Sequence, residues 1–394
     1  MGQNAIAIAV IASALVTGLV ADDDIQLSAS CPPYFGKTAQ GTCSLQSLYQ
    51  AYPAVNKQWG GYRVAIPTAK DGFTPQQISL GRLLFFDPVL SINQDLSCAH
   101  CHHPQLAMAD GLARSIGRHG QGIGDDRTAD IELNRAAPPL WNLALLDTFF
   151  WDGRAASLEQ QMDDVMSSPK EMANTPENVV ASLNGIAAYR RLFHEAFKVK
   201  EIGYDDVKTA IVAFETSLVS LNSRYDRYIH GAQTALDEQE LRGLNIFRSF
   251  ATRCSQCHSP PLFTNNQLAI IGLPSPDGIA FDAGAQTVAN EPSLRGAFRV
   301  PSLRNIARTG PYMHAGQFAS LAEVIRFYND KPGHAIPEGE KLKLNWHIVD
   351  PKLTAGEEAD LLAFLQTLTD ETALPTVPER VPSGLPVAQK FAAQ

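Results

Sequence analysis

Two pentapeptides carry the most specific chemistry in this chain, Cys98-Ala99-His100-Cys101-His102 and Cys254-Ser255-Gln256-Cys257-His258. In each, the two thiols can add across the vinyl groups of a haem, and the His after the second Cys lies where its imidazole reaches the iron from the proximal side. A single Cys-x-x-Cys can also be a redox dithiol or half of a zinc site. A dithiol does not require the following His, and a four-Cys zinc ribbon joins its halves across about 15–20 residues, far fewer than separate these two motifs. The expectation is two covalently bound c-type haems, attached at Cys98, Cys101, Cys254 and Cys257, with His102 and His258 as iron ligands.

Helices must position these motifs. Thr74-Pro75-Gln76-Gln77 is a capping box with proline at the first helical position; Ile78, Leu80, Leu83, Leu84 and Phe85 then form an apolar face, and Asp87-Pro88 halts the helix. Before the second motif, Asp237-Glu238-Gln239-Glu240 repeats the capping signature, followed by Leu241, Leu244, Ile246 and Phe247. A closing helix follows each motif. The first is expected from roughly Asp206 to Leu221, with Ile211, Phe214 and Leu218 on one face; the second follows Thr354-Ala355-Gly356-Glu357, with Leu361, Phe364, Leu365 and Leu368. Strand signals are sparse. The expected fold is mainly α: two tandem cytochrome c-like haem domains with long loops and little sheet, residues 73–225 and 226–375. An N-terminal extension, 22–72, precedes them and a Pro-rich tail, 376–394, follows.

With 394 residues, 45% of them hydrophobic and 19% charged, the chain has the composition of a globular protein large enough for two domains. A net charge of −9 with no basic stripe argues against a nucleic-acid partner. The apolar run from Ala5 to Ala21, ahead of Asp22-Asp23-Asp24, resembles a secretory signal and is short for a membrane span, so residues 1–21 are expected to direct export and the mature chain to lack a transmembrane span. Covalent haem attachment is extracytoplasmic chemistry in bacteria, which agrees with a periplasmic location. With four cysteines consumed by haem, Cys31 and Cys43 are available to each other, and an oxidising compartment lets them close a short loop worth about 3 kcal/mol. Lipidation of Cys31 is the alternative, disfavoured by its distance from the apolar run.

An electron-transfer dihaem protein needs both irons saturated, usually by His and Met, yet methionine occurs only at positions 1, 108, 162, 166, 172 and 313, so only Met313 follows Cys254. From about Phe73 to Thr369 the chain resembles the bacterial dihaem cytochrome c peroxidase family, and within it the MauG-like subgroup. The resemblance is carried by the segment from Leu80 to Ser91, the two haem motifs, Phe150-Trp151-Asp152-Gly153-Arg154-Ala155, Glu171-Met172, Val300 to Asn305 and Pro311 to Gly316. It implies that the first haem is the peroxide site, with Gln161 and Glu171 over its open face. A carboxylate there can take the proton from the attacking peroxide oxygen and return it to the departing one. The resemblance also implies that Trp151 lies between the haems as a relay. His119, in Gly117-Arg118-His119-Gly120, is one residue out of register with a distal His of some members and is a candidate distal residue.

Classical members supply a methionine ligand to the second haem where this chain has Tyr328, as in the MauG-like subgroup. A phenolate is a hard anionic donor that favours more oxidised iron, whereas a thioether is soft and favours ferrous iron. Members of the family also commonly hold calcium between the domains. Thr309 and Pro311 fall at its carbonyl positions, but Ala136 stands at its Asn position, with Asn134 as a conceivable substitute.

Three functions compete. The first is a MauG-like enzyme in which hydrogen peroxide generates a high-valent state shared by both haems, which then oxidises aromatic residues of a partner protein at long range. The second is a classical cytochrome c peroxidase, supplied with electrons by a small cytochrome or cupredoxin. The third is a non-catalytic dihaem carrier. Tyr328 favours the first over the second, and Gln161 with Glu171 argues against the third.

Overall fold

The computed structural model describes residues 25–46, 66–128, 131–330, 336–370 and 374–388; the export segment expected at 1–21 lies outside them. The described chain is mainly helical, as expected, with two small antiparallel ribbons. These are β1 (Phe35–Lys37) with β2 (Cys43–Leu45), and β3 (Leu268–Ile270) with β4 (Ala297–Arg299). No helix among the described residues is long and apolar enough to cross a membrane.

Helix α1 (Pro75–Phe86) opens on the expected capping box: the Gln77 N–H donates to Thr74 Oγ1 at 3.2 Å and the Thr74 N–H to Gln77 Oε1 at 2.9 Å. It leads into α2 (Cys98–Cys101), the first haem motif. Helix α3 (Leu158–Ser167) and helix α4 (Tyr204–Thr216) belong to the first set, with the helices Pro176–Gly185 and Ala187–Phe197 between them. In the second set, α5 (Glu238–Arg248), capped by Asp237, leads into α6 (Cys254–Cys257), and α7 (Leu321–Asp330) and α8 (Ala355–Gln366) follow.

The two sets repeat one packing device. A Cβ on Gly81 of α1 would stand 1.8 Å from the Ala210 carbonyl oxygen of α4, and a Cβ on Gly243 of α5 would stand 1.9 Å from the Asp360 carbonyl oxygen of α8. Each glycine lets two backbones touch where a side chain would wedge them apart. The packing then continues through edge-on or tilted ring pairs: Phe85 with Phe214 at 5.0 Å in the first set, Phe247 with Phe364 at 5.1 Å in the second.

Helix α4 ends at Thr216, five residues before the expected Leu221. Asn142 is the cause: its side chain accepts from the Ser220 N–H at 2.9 Å and donates to the Ser220 carbonyl at 3.2 Å, and its own N–H donates to the Leu218 carbonyl. Those bonds draw the 218–220 backbone out of the helix and over the loop that lines the first haem motif. In α8 the apolar stripe outlasts the helix, since Leu368 lies beyond its end and is fully buried.

The terminal segments both pack on the first helix set. A disulfide joins Cys31 to Cys43, as expected, and Cys43 is buried with Ile78 of α1 and Ala213 of α4. From the Pro-rich tail, Val381, Val387 and Ala388 join the cluster of Phe85, Phe86 and Phe214. Ser383 Oγ donates to Asp87 Oδ1 at 2.6 Å and Tyr189 to Asp87 Oδ2 at 2.5 Å, so one buried carboxylate fastens the tail where α1 stops.

Candidate haem sites

Each haem motif is a single helical turn that ends on its histidine. The His102 Nδ1 lies 3.1 Å from the Met108 carbonyl, and the His258 Nδ1 lies 3.1 Å from the carbonyls of both Phe263 and Pro301. A carbonyl only accepts, so each Nδ1 must carry the hydrogen and each Nε2 is left with its lone pair. Burial holds both rings neutral: it lowers the His102 pKa to about 4 and lowers that of His258, against the opposing pull of the same carbonyls. These are ligand-ready imidazoles, fixed from behind.

None of the four motif cysteines forms a disulfide. Burial pushes the Cys101 thiol up to about 12, with Asp110 adding to it, and raises Cys98 further. A redox dithiol needs a lowered thiol pKa, so this environment speaks against that alternative. The zinc alternative also fails among the described residues, where no three His, Cys, Asp or Glu side chains gather to hold a metal.

The first motif opens on a cavity of about 850 Å³. Cys101 and His102 form part of its wall, and Trp151, Gln161 and Glu171 line it too. Arg114, Arg135, Arg154, Lys170 and Arg299 add five cations, which suits a flat group bearing two propionates. Gln161 comes from α3, and Glu171 from the turn after it, where the Glu171 N–H donates to the Ser168 carbonyl at 3.0 Å and Met172 is buried beneath. Burial raises the Glu171 pKa, reinforced by Asp164 and opposed by a Ser168 hydrogen bond and the Arg154 charge.

The second cavity is smaller, about 230 Å³, and mostly apolar. Cys254, Cys257, His258 and Tyr328 line it. Tyr328 sits on α7; burial raises its phenol, with Cys254 and Cys257 contributing, and it makes no hydrogen bond to any described residue. A polar atom left so in an apolar wall suits a ligand supplied by the cofactor. Met313 lines the same cavity, so lining alone does not choose between phenol and thioether.

Trp151 lines both cavities. Its Nε1 donates to the Ala136 carbonyl at 2.9 Å and its carbonyl accepts from the Arg299 N–H at 2.7 Å, which fixes the indole between the two helix sets. Thr309 and Pro311 stand on the second cavity wall and Asn134 on the first. Ala136 offers no side-chain oxygen, and its N–H donates directly to the His314 carbonyl at 2.8 Å, a bond between the two sets.

His119 does not line the first cavity. The Arg127 guanidinium donates to the carbonyls of Gly117, Gly120 and Gly122, and the turn it organises directs His119 outward, 3.6 Å from Asp95 and 3.4 Å from Asn93.

Two features escaped the sequence reading. Arg135 spans the two sets, donating to Asp152 at 2.5 Å and to Asp282 at 2.7 and 3.0 Å. Glu215, hidden in the apolar stripe of α4, is buried with Oε2 unpaired. Counted from the paired rings Phe214 and Phe364, its counterpart in the second set is Leu365. Burial raises its pKa to about 8, with Glu159 adding to the shift. The folded protein therefore holds a proton that the unfolded chain releases above its ordinary carboxyl pKa, and stability falls as pH rises from that value to about 8. Glu215→Gln removes this slope. Thermal unfolding should show the variant gaining on the wild type from about pH 5 upward and levelling off above about pH 8; parallel curves at all pH values would mean that the carboxyl ionises freely in the fold.

A cavity carrying a fixed imidazole, one thiol of its haem motif and a carboxylate, linked by one tryptophan to a second cavity with its own imidazole and two thiols, defines the class: a dihaem oxidoreductase. A family model described as di-haem cytochrome c peroxidase matches residues 75–234. The methylamine utilization protein MauG of Methylorubrum extorquens is 37% identical over 308 residues, 78% of this chain and 82% of that protein. Cytochrome c551 peroxidase of Nitrosomonas europaea is 32% identical over 293 residues, 74% of this chain and 79% of that protein. Among solved structures, a MauG-like protein associated with microbial copper homeostasis matches with a TM-score of 0.68 at 33% identity, covering 78% of this chain and 94% of that one. The chain belongs to the di-haem cytochrome c peroxidase family and is a haem-dependent oxidoreductase.

Proposed function

We propose that this protein is an exported, periplasmic MauG-like enzyme that uses hydrogen peroxide to oxidise aromatic residues of a partner protein by long-range electron transfer. Tyr328 carries the reading: its phenol makes no hydrogen bond to any described residue and lines the same cavity as His258. Cys98, Cys101, Cys254 and Cys257 would hold the two haems through thioethers, and the haems would supply the iron redox chemistry that peroxide reduction needs. Glu171 takes the proton of the attacking oxygen and delivers it to the departing one; burial raises its pKa, which suits a group that must accept a proton before returning it. Gln161 orients peroxide beside it. Trp151 relays electrons between the cavities, and Tyr328, as a phenolate, stabilises the more oxidised metal at the second.

Classical peroxidase activity, with a small cytochrome or cupredoxin as donor, is the second reading, and Met313 in the second cavity favours it. The two readings separate on donor preference. After one equivalent of peroxide, the proposal expects the oxidised protein to persist with reduced cytochrome c and to discharge onto tyrosine or tryptophan residues of a protein. Rapid oxidation of cytochrome c with no aromatic oxidation selects the classical reading.

A further inference from the structure

The two most exposed large hydrophobic side chains among the described residues are Phe250, 74% exposed, and Trp346, 70% exposed. Far apart in sequence, they share one cation: the Arg253 guanidinium lies 4.4 Å from the Phe250 ring centroid and 5.5 Å from that of Trp346, and its Nη1 donates to the Trp346 carbonyl at 3.2 Å. Arg253 immediately precedes Cys254, so this aromatic surface adjoins the second haem motif. Exposed aromatics brought together in this way mark a surface that another molecule covers.

A second observation connects the patch to the cavity. The Trp346 ring centroid is 3.6 Å from that of His347, and His347 lines the second cavity together with Tyr328 and Cys257. Its Nδ1 is buried without a hydrogen-bond partner. A ring-to-ring path thus runs from the cavity wall to solvent. The other tryptophans among the described residues do not reach the surface in this way: Trp141 is buried and Trp151 lies between the cavities.

Charge indicates what would cover the patch. Around Phe250 and Trp346 the sequence supplies Arg248, Arg253, Lys341 and Lys343, while Glu340 is taken by Arg295 and Asp350 by Lys352. This is a basic margin on a chain of net charge −9. It favours an acidic face.

We propose that Trp346 is where electrons enter the protein, and that the surface formed by Phe250, Arg253 and Trp346 docks an acidic partner protein presenting an oxidisable aromatic side chain. The proposal rests on the MauG-like reading and adds the site of contact. For each peroxide, the O–O bond breaks and two electrons and two protons convert it to two waters. The partner's aromatic residues lose those two electrons, one at a time through Trp346 and His347, and release two protons.

The holoprotein with peroxide and two synthetic peptides tests this, one peptide carrying a tyrosine among glutamates and the other a tyrosine among lysines. With peroxide and no peptide, Trp346 itself should lose two electrons and gain one oxygen atom from water, as seen by peptide mapping, and cyanide should suppress the change. Trp346→Phe should consume its first equivalent of peroxide at the wild-type rate yet oxidise the acidic peptide at least about tenfold more slowly. Without peroxide, fluorescence anisotropy should show the acidic peptide binding more tightly than the basic one, more weakly as salt rises, and more weakly still to Phe250→Ala. Oxygen added to a different surface aromatic, equal binding of both peptides, or undiminished peptide oxidation by Trp346→Phe overturns the proposal. If the wild type oxidises neither peptide but does oxidise reduced cytochrome c, the MauG-like reading fails instead; Trp346 is then upheld if its Phe variant slows that reaction and overturned if it does not.

Discussion

Glu171→Gln is expected to slow peroxide consumption by about 10²–10⁴-fold, the range typical of a lost general acid–base, while both haems stay attached. The substitution keeps the size of the side chain and its place on the turn after α3, where the Glu171 N–H is tied to the Ser168 carbonyl. It removes only the ability to hold and return a proton. Burial already disfavours the charged carboxylate there, so the wild-type group takes up a proton more readily than an exposed glutamate does. Stopped-flow mixing with peroxide measures the rate, and haem staining under denaturing conditions checks attachment. Wild-type kinetics in the variant would make Glu171 a piece of cavity wall and no more.

Trp151→Phe should separate the two haems functionally. Peroxide is expected to react at the first site at an unchanged rate, while the spectrum of the second haem stays ferric or follows slowly. Phenylalanine keeps an aromatic body between the cavities but is much harder to oxidise than indole. It also loses the Nε1 bond to the Ala136 carbonyl, a change worth about 1 kcal/mol, so thermal unfolding should drop only slightly. Should both haem spectra still change together at the wild-type rate in a folded variant, electrons cross by another path.

How much of this was legible in the sequence follows from the range over which each interaction acts. The haem motifs and the capping boxes at Thr74 and Asp237 are local: a few adjacent residues satisfy their own backbone and thiol chemistry, and the structure repeats them as expected. The paired glycines Gly81 and Gly243 mark the same crossing twice, but only a backbone contact with Ala210 or Asp360 reveals why they are glycines. The early end of α4 depends on Asn142, whose amide reaches Ser220 from a distant loop and overrides a helical pattern that otherwise runs on. Glu215 looked like one polar residue in an apolar stripe, and its burial is set by the helices packed around it. Arg135 had no sequence signal that it would bridge Asp152 and Asp282. Where His119 points is open in the sequence for the opposite reason, since register with related sequences says nothing about the direction in which a turn held by Arg127 presents its side chains.

Tyr328 is where the account is most exposed to test, because Met313 shares its cavity and related proteins of both kinds match this chain. Resonance Raman spectroscopy of the resting holoprotein addresses it directly. An iron–phenolate signature is expected at the haem held by Cys254, Cys257 and His258, present in the wild type, absent in Tyr328→Phe and unchanged in Met313→Leu. A wild-type spectrum without that signature, or one altered only by the loss of Met313, contradicts the account and makes the protein a methionine-ligated peroxidase.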